Sequence, residues 1–229
     1  MKIADERQGQ TVKFRDVASL VVHLLEICRG RSRILAGIAG IPGSGKSTLA
    51  ESLCDVCNRL EHPGFSVLVP QDGFHLSNSE LEQRGLTARK GSPVTFNSCA
   101  LLEKLTGIRR GGSVVRVPIY SRETHEPVPD AVEIPTGVQL VLVEGNYLFW
   151  NEGAWSAISD LFDIRIFVAA TMDTARSRVI ARHVRGGLNS EAAVAKYERN
   201  DRPNSELVSE TVCFADCIFD CEYNDGKQT

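Results

Sequence analysis

The stretch Gly40-Ile41-Pro42-Gly43-Ser44-Gly45-Lys46-Ser47-Thr48 constrains this chain more than any other. It fits G-x-x-x-x-G-K-[ST], a turn whose glycines let successive backbone N–H groups converge on one anion. A helix starting at Lys46 adds its positive end, the Lys46 ammonium reaches the outer phosphates, and the Ser47 hydroxyl is a ligand for Mg²⁺. Such a loop works only between a strand and a helix, and the flanks supply both. Ile34-Leu35-Ala36-Gly37-Ile38-Ala39 is a short apolar run with the character of a buried strand, while Leu49, Ala50, Leu53, Cys54 and Cys57 recur at helical spacing. This frame predicts a nucleoside triphosphate site over Gly40–Thr48.

The rest of the chain alternates strand-like and helix-like segments. Phe14, Val17, Ala18, Val21, Leu24, Leu25 and Cys28 form a helical stripe that packs on the core or on a second subunit of a homodimer. After the turn His62-Pro63-Gly64, Phe65–Val69 reads as a strand that completes a parallel strand–helix–strand unit. A short helix runs from about Ser77 to Gly85, and Leu86–Phe96 is irregular and basic. Asn97 caps a helix that turns Leu101, Leu102, Leu105 and Ile108 inward. Val114–Val117 is a strand ending at Pro118, and Ile119–Asp130 is a polar loop. Val138–Val143 and Ile164–Val168 are strands. Helices follow over about 173–183 and 190–197, then a loop at Asn200–Asn204 and a last strand near Cys217–Phe219. The alternation predicts a three-layer α/β/α fold with a mainly parallel sheet, one domain over residues 1–229, and a loose tail over about 1–10.

Charge and cysteine usage narrow the partners. The net charge of −3 carries no sign of a nucleic-acid or membrane partner, and no uncharged apolar run approaches ~18 residues. Residues 1–10 lack the apolar centre of a signal peptide, so a cytoplasmic protein with seven reduced thiols is expected. Cys54-x-x-Cys57 falls on the apolar side of a helix and reads as core packing. Cys213, Cys217 and Cys221 have no histidine nearby to complete a zinc site. Arg29-Gly30-Arg31-Ser32-Arg33 reads as a solvated basic loop.

Ligands of an open parallel sheet bind beyond the carboxyl ends of its strands. Besides the phosphate loop, Asp72 and Glu144 arrive there, each directly after an apolar run. Glu144 is placed to hold the metal with Ser47, and Asp72 to act as general base toward an acceptor hydroxyl. His75 lies close enough to Asp72 to line the same cleft, and His125 sits in a polar loop five residues past Tyr120. Arg182, Arg185 and Gly186-Gly187 have the makings of a mobile helical lid over about 182–200 that delivers an arginine to the transferring phosphoryl group. An ATPase or nucleotide-dependent switch uses the same loop. Neither an N-K-x-D guanine-reading motif nor an L-S-G-G signature occurs, however.

The set G-I-P-G-S-G-K-S-T, V-P-Q-D-G-F-H, R-K-G-S-P, P-I-Y-S-R-E-T-H and V-L-V-E-G-N-Y resembles the P-loop kinase family of uridine kinase, phosphoribulokinase and type I pantothenate kinase. The resemblance covers about Ile34 to Phe219 and runs nearest to small bacterial proteins labelled fructose-transport-system kinase or nucleoside-kinase-like. It implies an ATP-dependent kinase that uses Mg²⁺ and a small-molecule acceptor. Lys46 and Ser47 would hold ATP–Mg²⁺, Asp72 would be the base, and Glu144 would support metal or acceptor. Lys90, Tyr120, Arg122 and His125 would line the acceptor pocket with Asp72 and His75. One departure stands out: the uridine-kinase pattern has D-S-F-Y where this chain has Asp72-Gly73-Phe74-His75.

Overall fold

A computed structural model of the chain describes residues 11–220. The expected tail over 1–10 and Cys221 lie outside the described residues. In chain order the elements are β1 (Val12–Phe14), α1 (Val17–Cys28), β2 (Ile34–Ala39), α2 (Lys46–Leu60), β3 (Ser66–Pro70), α3 (Asn78–Gln83), α4 (Ser98–Arg110), β4 (Val115–Ser121) and β5 (Glu126–Ile134). They continue with β6 (Leu140–Gly145), α5 (Ala154–Ser159), β7 (Ile164–Ala169), α6 (Met172–Arg185), α7 (Ser190–Lys196), α8 (Arg202–Ser209) and β8 (Cys217–Asp220).

Six strands form one parallel sheet in the order β1-β8-β7-β2-β6-β3. β6 lies between β2 and β3, so the strand–helix–strand unit read from the sequence spans one intervening strand. Side chains alternate across a strand, so β2 sends Ile34, Ala36 and Ile38 to one face and Leu35 and Ala39 to the other. The first face packs against Leu20, Val21, Leu24 and Cys28 of α1 and Leu49, Ala50, Leu53 and Cys57 of α2. The second packs against α4, α5, Ala175 of α6 and Val208 of α8. Each fully buried aliphatic side chain contributes about 1.5–3 kcal/mol of transfer free energy, so two such layers hold the sheet between them. The Cys57 thiol sits within the α1–α2 layer, where burial pushes its pKa up to about 12.

Several expectations are corrected. Phe14 belongs to β1, not to the first helix: Asp16 caps that helix by accepting from Ser19 N–H, and Val12–Phe14 pairs with Cys217–Phe219. The segment 119–130 is not a loop. β4 runs through Pro118 with a bulge between Val117 and Ile119, and pairs antiparallel with β5 as a separate two-stranded ribbon. Pro127 and Pro129 fit there because a two-stranded ribbon has only edge strands, where a missing N–H costs no ladder bond. Asn200–Asn204 is not a loop either: a π-helical turn over Tyr197–Asp201 feeds directly into α8. Residues 29–32 are exposed as expected, but Arg33 is half-buried. Its guanidinium donates to the carbonyls of Ile108, Val138, Pro135 and Thr136 at 2.6, 3.0, 3.1 and 2.7 Å, tying the end of α4 to the entry of β6.

Candidate active site

The site is assembled by strand register. Glu144 at the end of β6 lies opposite Ile38 of β2 on one side and Pro70 of β3 on the other. The turns leaving β2 and β3, which carry Lys46 and Asp72, therefore flank it.

The loop from Gly40 to Gly45 is shaped by close approaches. A Cβ on Gly40 would stand 2.6 Å from the Ser44 hydroxyl and 2.8 Å from the Val168 carbonyl, and one on Gly43 would stand 2.6 Å from the Ala175 carbonyl. Gly43 and Gly45 have φ of 85° and 95°, a region that L side chains strain to enter. Ile41 and Pro42 are buried, Thr48 is exposed, and α2 starts at Lys46 with no side chain capping its first N–H groups. Those orphan donors, with the positive helix end behind them, form a seat for an anion. The buried Ser44 hydroxyl, which has no protein partner, sits in the same loop.

Glu144 is 6% exposed, and the Ser47 hydroxyl donates to its Oε2 at 3.2 Å. Burial pushes the carboxyl pKa up, the Lys46 ammonium pulls it down, and the Asp72 charge raises it again. A buried carboxylate held between a cation and a second carboxylate calls for more positive charge. The Ser47–Glu144 oxygen pair suits Mg²⁺, which takes one or two protein oxygens and fills its remaining positions from water and phosphate.

Asp72 is exposed in a 3₁₀ turn, Gln71–Phe74, that is held from two directions. Gln71 is fully buried, packs on Gly145 and accepts from Tyr147 N–H at 3.1 Å. Gly73 lies against the Pro118 carbonyl of the β4–β5 ribbon, closer than any side chain at position 73 allows. This contact is the physical reason for glycine in Asp72-Gly73-Phe74-His75.

The ribbon brings Tyr120 to His75, with ring centroids 4.9 Å apart, and Phe96 covers the His75 ring at 3.9 Å. Nδ1 of His75 donates to the Asp72 carbonyl at 2.9 Å, because a carbonyl only accepts. The neutral ring therefore keeps Nε2 as an acceptor. Burial lowers the His75 pKa against the opposing pull of the Asp72 charge. Lys90 lies 5.5 Å from the centre of the Tyr120 ring, and its ammonium donates to Asn78 Oδ1 at 2.5 Å and to the His125 carbonyl at 2.8 Å. Burial lowers its pKa as well. Asp72, His75, Lys90 and Tyr120 thus lie close together. Arg122 and His125 sit in the exposed turn of the ribbon, where His125 has φ 56° and contributes its carbonyl rather than its ring to the Lys90 contact.

Arg182 and Arg185 are exposed in the last turn of α6. The arginine that α6 brings to the phosphate loop is Arg178, whose Nη1 donates to the Gly43 carbonyl at 3.4 Å. Arg178, Arg182 and Arg185 are spaced i, i+4, i+7 and share a helix face, the latter two lying about 6 and 10 Å further along the axis. Tyr147 was also missed. Its hydroxyl donates to the Gly91 carbonyl at 2.6 Å, and its ring is buried among Phe96, Trp150 and Trp155. Counting back by helical steps from Arg185 reaches Arg178, and Gln71 and Tyr147 stand inside motifs already singled out. No pattern marks Asn200, which donates to the Lys90 carbonyl at 2.8 Å.

Comparison with known proteins gives the family and the fold. Residues 35–223 match the sequence model of the Phosphoribulokinase / Uridine kinase family. The putative uridine kinase of Schizosaccharomyces pombe is 30% identical over 219 residues, covering 89% of this chain and 91% of its own. A pantothenate kinase of Leifsonia xyli is 39% identical over 142 residues, 61% of this chain but only 44% of that longer enzyme. The crystal structure of a putative fructose transport system kinase from Silicibacter superposes with a TM-score of 0.82 at 31% identity, covering 90% of this chain and 99% of the other. Among the described residues, no helix is long and apolar enough to cross a membrane.

Proposed function

Because the chain belongs to the phosphoribulokinase / uridine kinase family, and so is a phosphotransferase, we propose that it moves the γ-phosphoryl group of ATP to a hydroxyl of a small metabolite. The observation that carries this reading is the 3.2 Å contact between Ser47 of the phosphate loop and the buried Glu144, with Asp72 on the neighbouring strand end.

In this reading the N–H groups of Gly40–Thr48 cradle the phosphates and Lys46 neutralises the outer ones. Ser47 and Glu144 are the protein ligands of Mg²⁺, which when bound offsets charge on the phosphates. Asp72 takes the proton of the acceptor hydroxyl as its oxygen attacks the γ-phosphorus, and the bond to the β–γ bridging oxygen breaks to release ADP. His75, Lys90 and Tyr120 orient the acceptor, with Arg122 and His125 at the ribbon turn. Segment 182–200 acts as a lid, with Arg182 and Arg185 approaching the transferring phosphoryl group from the far end of the face that Arg178 begins.

The acceptor class is open among the hydroxyl compounds named by its relatives. The test is ADP release from ATP–Mg²⁺ across uridine, cytidine, pantothenate, fructose, ribose and glycerate, with Asp72→Asn beside the wild type. Acceptor-dependent ADP release that falls by two or more orders of magnitude in Asp72→Asn, with ATP affinity retained, supports the reading. Full turnover in the variant removes Asp72 from the base role, and acceptor-independent hydrolysis points to an ATPase.

A further inference from the structure

One connection in the molecule joins the two halves of the site through the backbone of the acceptor loop. The turn Tyr197–Asp201 is π-helical, closed by Arg202 N–H on the Tyr197 carbonyl five residues back. A π turn is costly relative to continuous α-helix and persists where the extra residue is used. Here it is bound to α6 by side chains on several positions. Asp201 accepts from Nε2 of His183 at 2.8 Å, with both side chains about 12% exposed. Glu198 accepts from Arg176 at 3.2 Å, and the Arg176 guanidinium lies 5.6 Å from the Tyr197 ring. On the opposite side the same turn reaches the acceptor loop through Asn200, whose Nδ2 donates to the Lys90 carbonyl at 2.8 Å.

Besides the Lys90 ammonium contacts to Asn78 and the His125 carbonyl, the loop it reaches is held at the next residue. Gly91 donates its N–H to Thr95 Oγ1 at 3.0 Å and accepts from Tyr147 through its carbonyl. Gly91 has φ 98°, a conformation that only glycine takes readily. The Asn200 bond fixes the peptide between Lys90 and Gly91, and with it the root of the Lys90 side chain. At its other end α6 packs on the phosphate loop, with Gly43 against Ala175 and Val179. A contiguous path of packed groups therefore runs from Gly43 through α6 and the π turn to Lys90.

We propose that Asn200 is a positioning residue that couples nucleotide binding at the phosphate loop to the setting of Lys90 in the acceptor loop, with the π turn as the link. The inference rests on the reading of Gly40–Thr48 as the ATP site and Lys90 as an acceptor contact. Asn200 touches neither ligand. It acts through the Lys90 carbonyl, and an exchange of one hydrogen bond sets the size of the coupling at on the order of fivefold.

Amide hydrogen exchange on the full chain reads this without knowledge of the acceptor. The probe is Mg²⁺ with a non-hydrolysable ATP analogue carrying a β–γ imido bridge. In the wild type it should slow exchange both in the phosphate loop and, on the order of fivefold, in the peptide spanning 86–96. In Asn200→Ala and Asn200→Ser the phosphate-loop protection should persist while that of 86–96 is lost. The residue is half-exposed, so either variant suffices if the other fails to fold. With an acceptor found by the panel, the same variants should raise its KM about fivefold at saturating ATP, leaving the affinity for the analogue in the absence of acceptor within twofold. Equal protection of 86–96 in wild type and variants, or none in the wild type, overturns the coupling. Absence of any protection at the phosphate loop overturns the ATP reading instead.

Discussion

Replacing Tyr147 by Phe removes one oxygen from the interior and nothing else. The ring stays packed against Phe96, Trp150 and Trp155, so no cavity larger than that atom opens. What is lost is the bond from the hydroxyl to the Gly91 carbonyl at 2.6 Å, and that carbonyl is left without its side-chain donor. Burial, reinforced by the Asp201 and Asp72 charges, pushes the phenol pKa far up, so the donor keeps its proton over the whole working pH range. Stranding a buried acceptor costs about 1–3 kcal/mol. Unfolding entropy of ~2.1 cal/mol/K per residue gives ~0.5 kcal/mol/K for a chain of 229 residues, so the melting temperature should fall by about 2–6 °C. Scanning calorimetry of both proteins at pH 7 measures it. Because Gly91 adjoins Lys90, the KM for the acceptor should rise as well, with the KM for ATP unchanged. A melting temperature within about 1 °C of wild type would refute the reasoning, since it would mean that water satisfies Gly91 as well as the phenol does.

Gly73→Ala drives a methyl group into the Pro118 carbonyl, so the ribbon must move off the Asp72 turn. The acceptor KM should rise about tenfold or more while calorimetric binding of ADP is retained, and an unchanged acceptor KM would show that the ribbon moves freely. Arg33→Ala leaves four carbonyls without their shared cation and should cost about 2–4 kcal/mol in urea unfolding. Arg33→Lys should recover only part of this, because one ammonium cannot span the planar fork. His75 titrates lower in the folded chain than its ordinary value of ~6.5, so between those pKa values the unfolded state binds more protons. Its contribution to stability is complete above about pH 6.5, declines as pH falls through that value, and levels off below the folded pKa. Melting curves from pH 8 to 5 should show that slope in wild type and lose it in His75→Asn.

The parts of the site legible in the sequence are those whose chemistry is local. Gly40–Thr48 announces itself because one loop must supply all the N–H groups, and Glu144 and Asp72 stand out because each ends an apolar strand. The β4–β5 ribbon was hidden because Pro118, Pro127 and Pro129 are loop residues in any propensity scale, and become acceptable only once a two-stranded ribbon has no central strand. β1 is three residues long with Val12 and Lys13 exposed, and owes its form to pairing with β8 rather than to any pattern of its own. Arg33 reads as one more basic loop residue until four carbonyls from 75 to 105 positions away converge on it. The π turn has helical composition throughout, and its one-residue offset is set by His183 and Lys90, both remote in sequence.

The pairing of β1 with β8 has a consequence for how the protein is made. Val12 finds its partner Cys217 only after roughly two hundred further residues have been synthesised. At ~5–20 residues per second the ribosome takes on the order of ten to forty seconds to supply it. Only in the last part of that interval, once β7 ends at Ala169, can β2, β3, β6 and β7 assemble the nucleotide site, and one edge of β7 then stays open until β8 arrives. An unpaired parallel edge is a template for any other extended chain. The vulnerable moment in the life of this enzyme is therefore the stretch of translation between β7 and β8, and truncation before residue 217 should yield a chain that folds around its phosphate loop yet aggregates through β7.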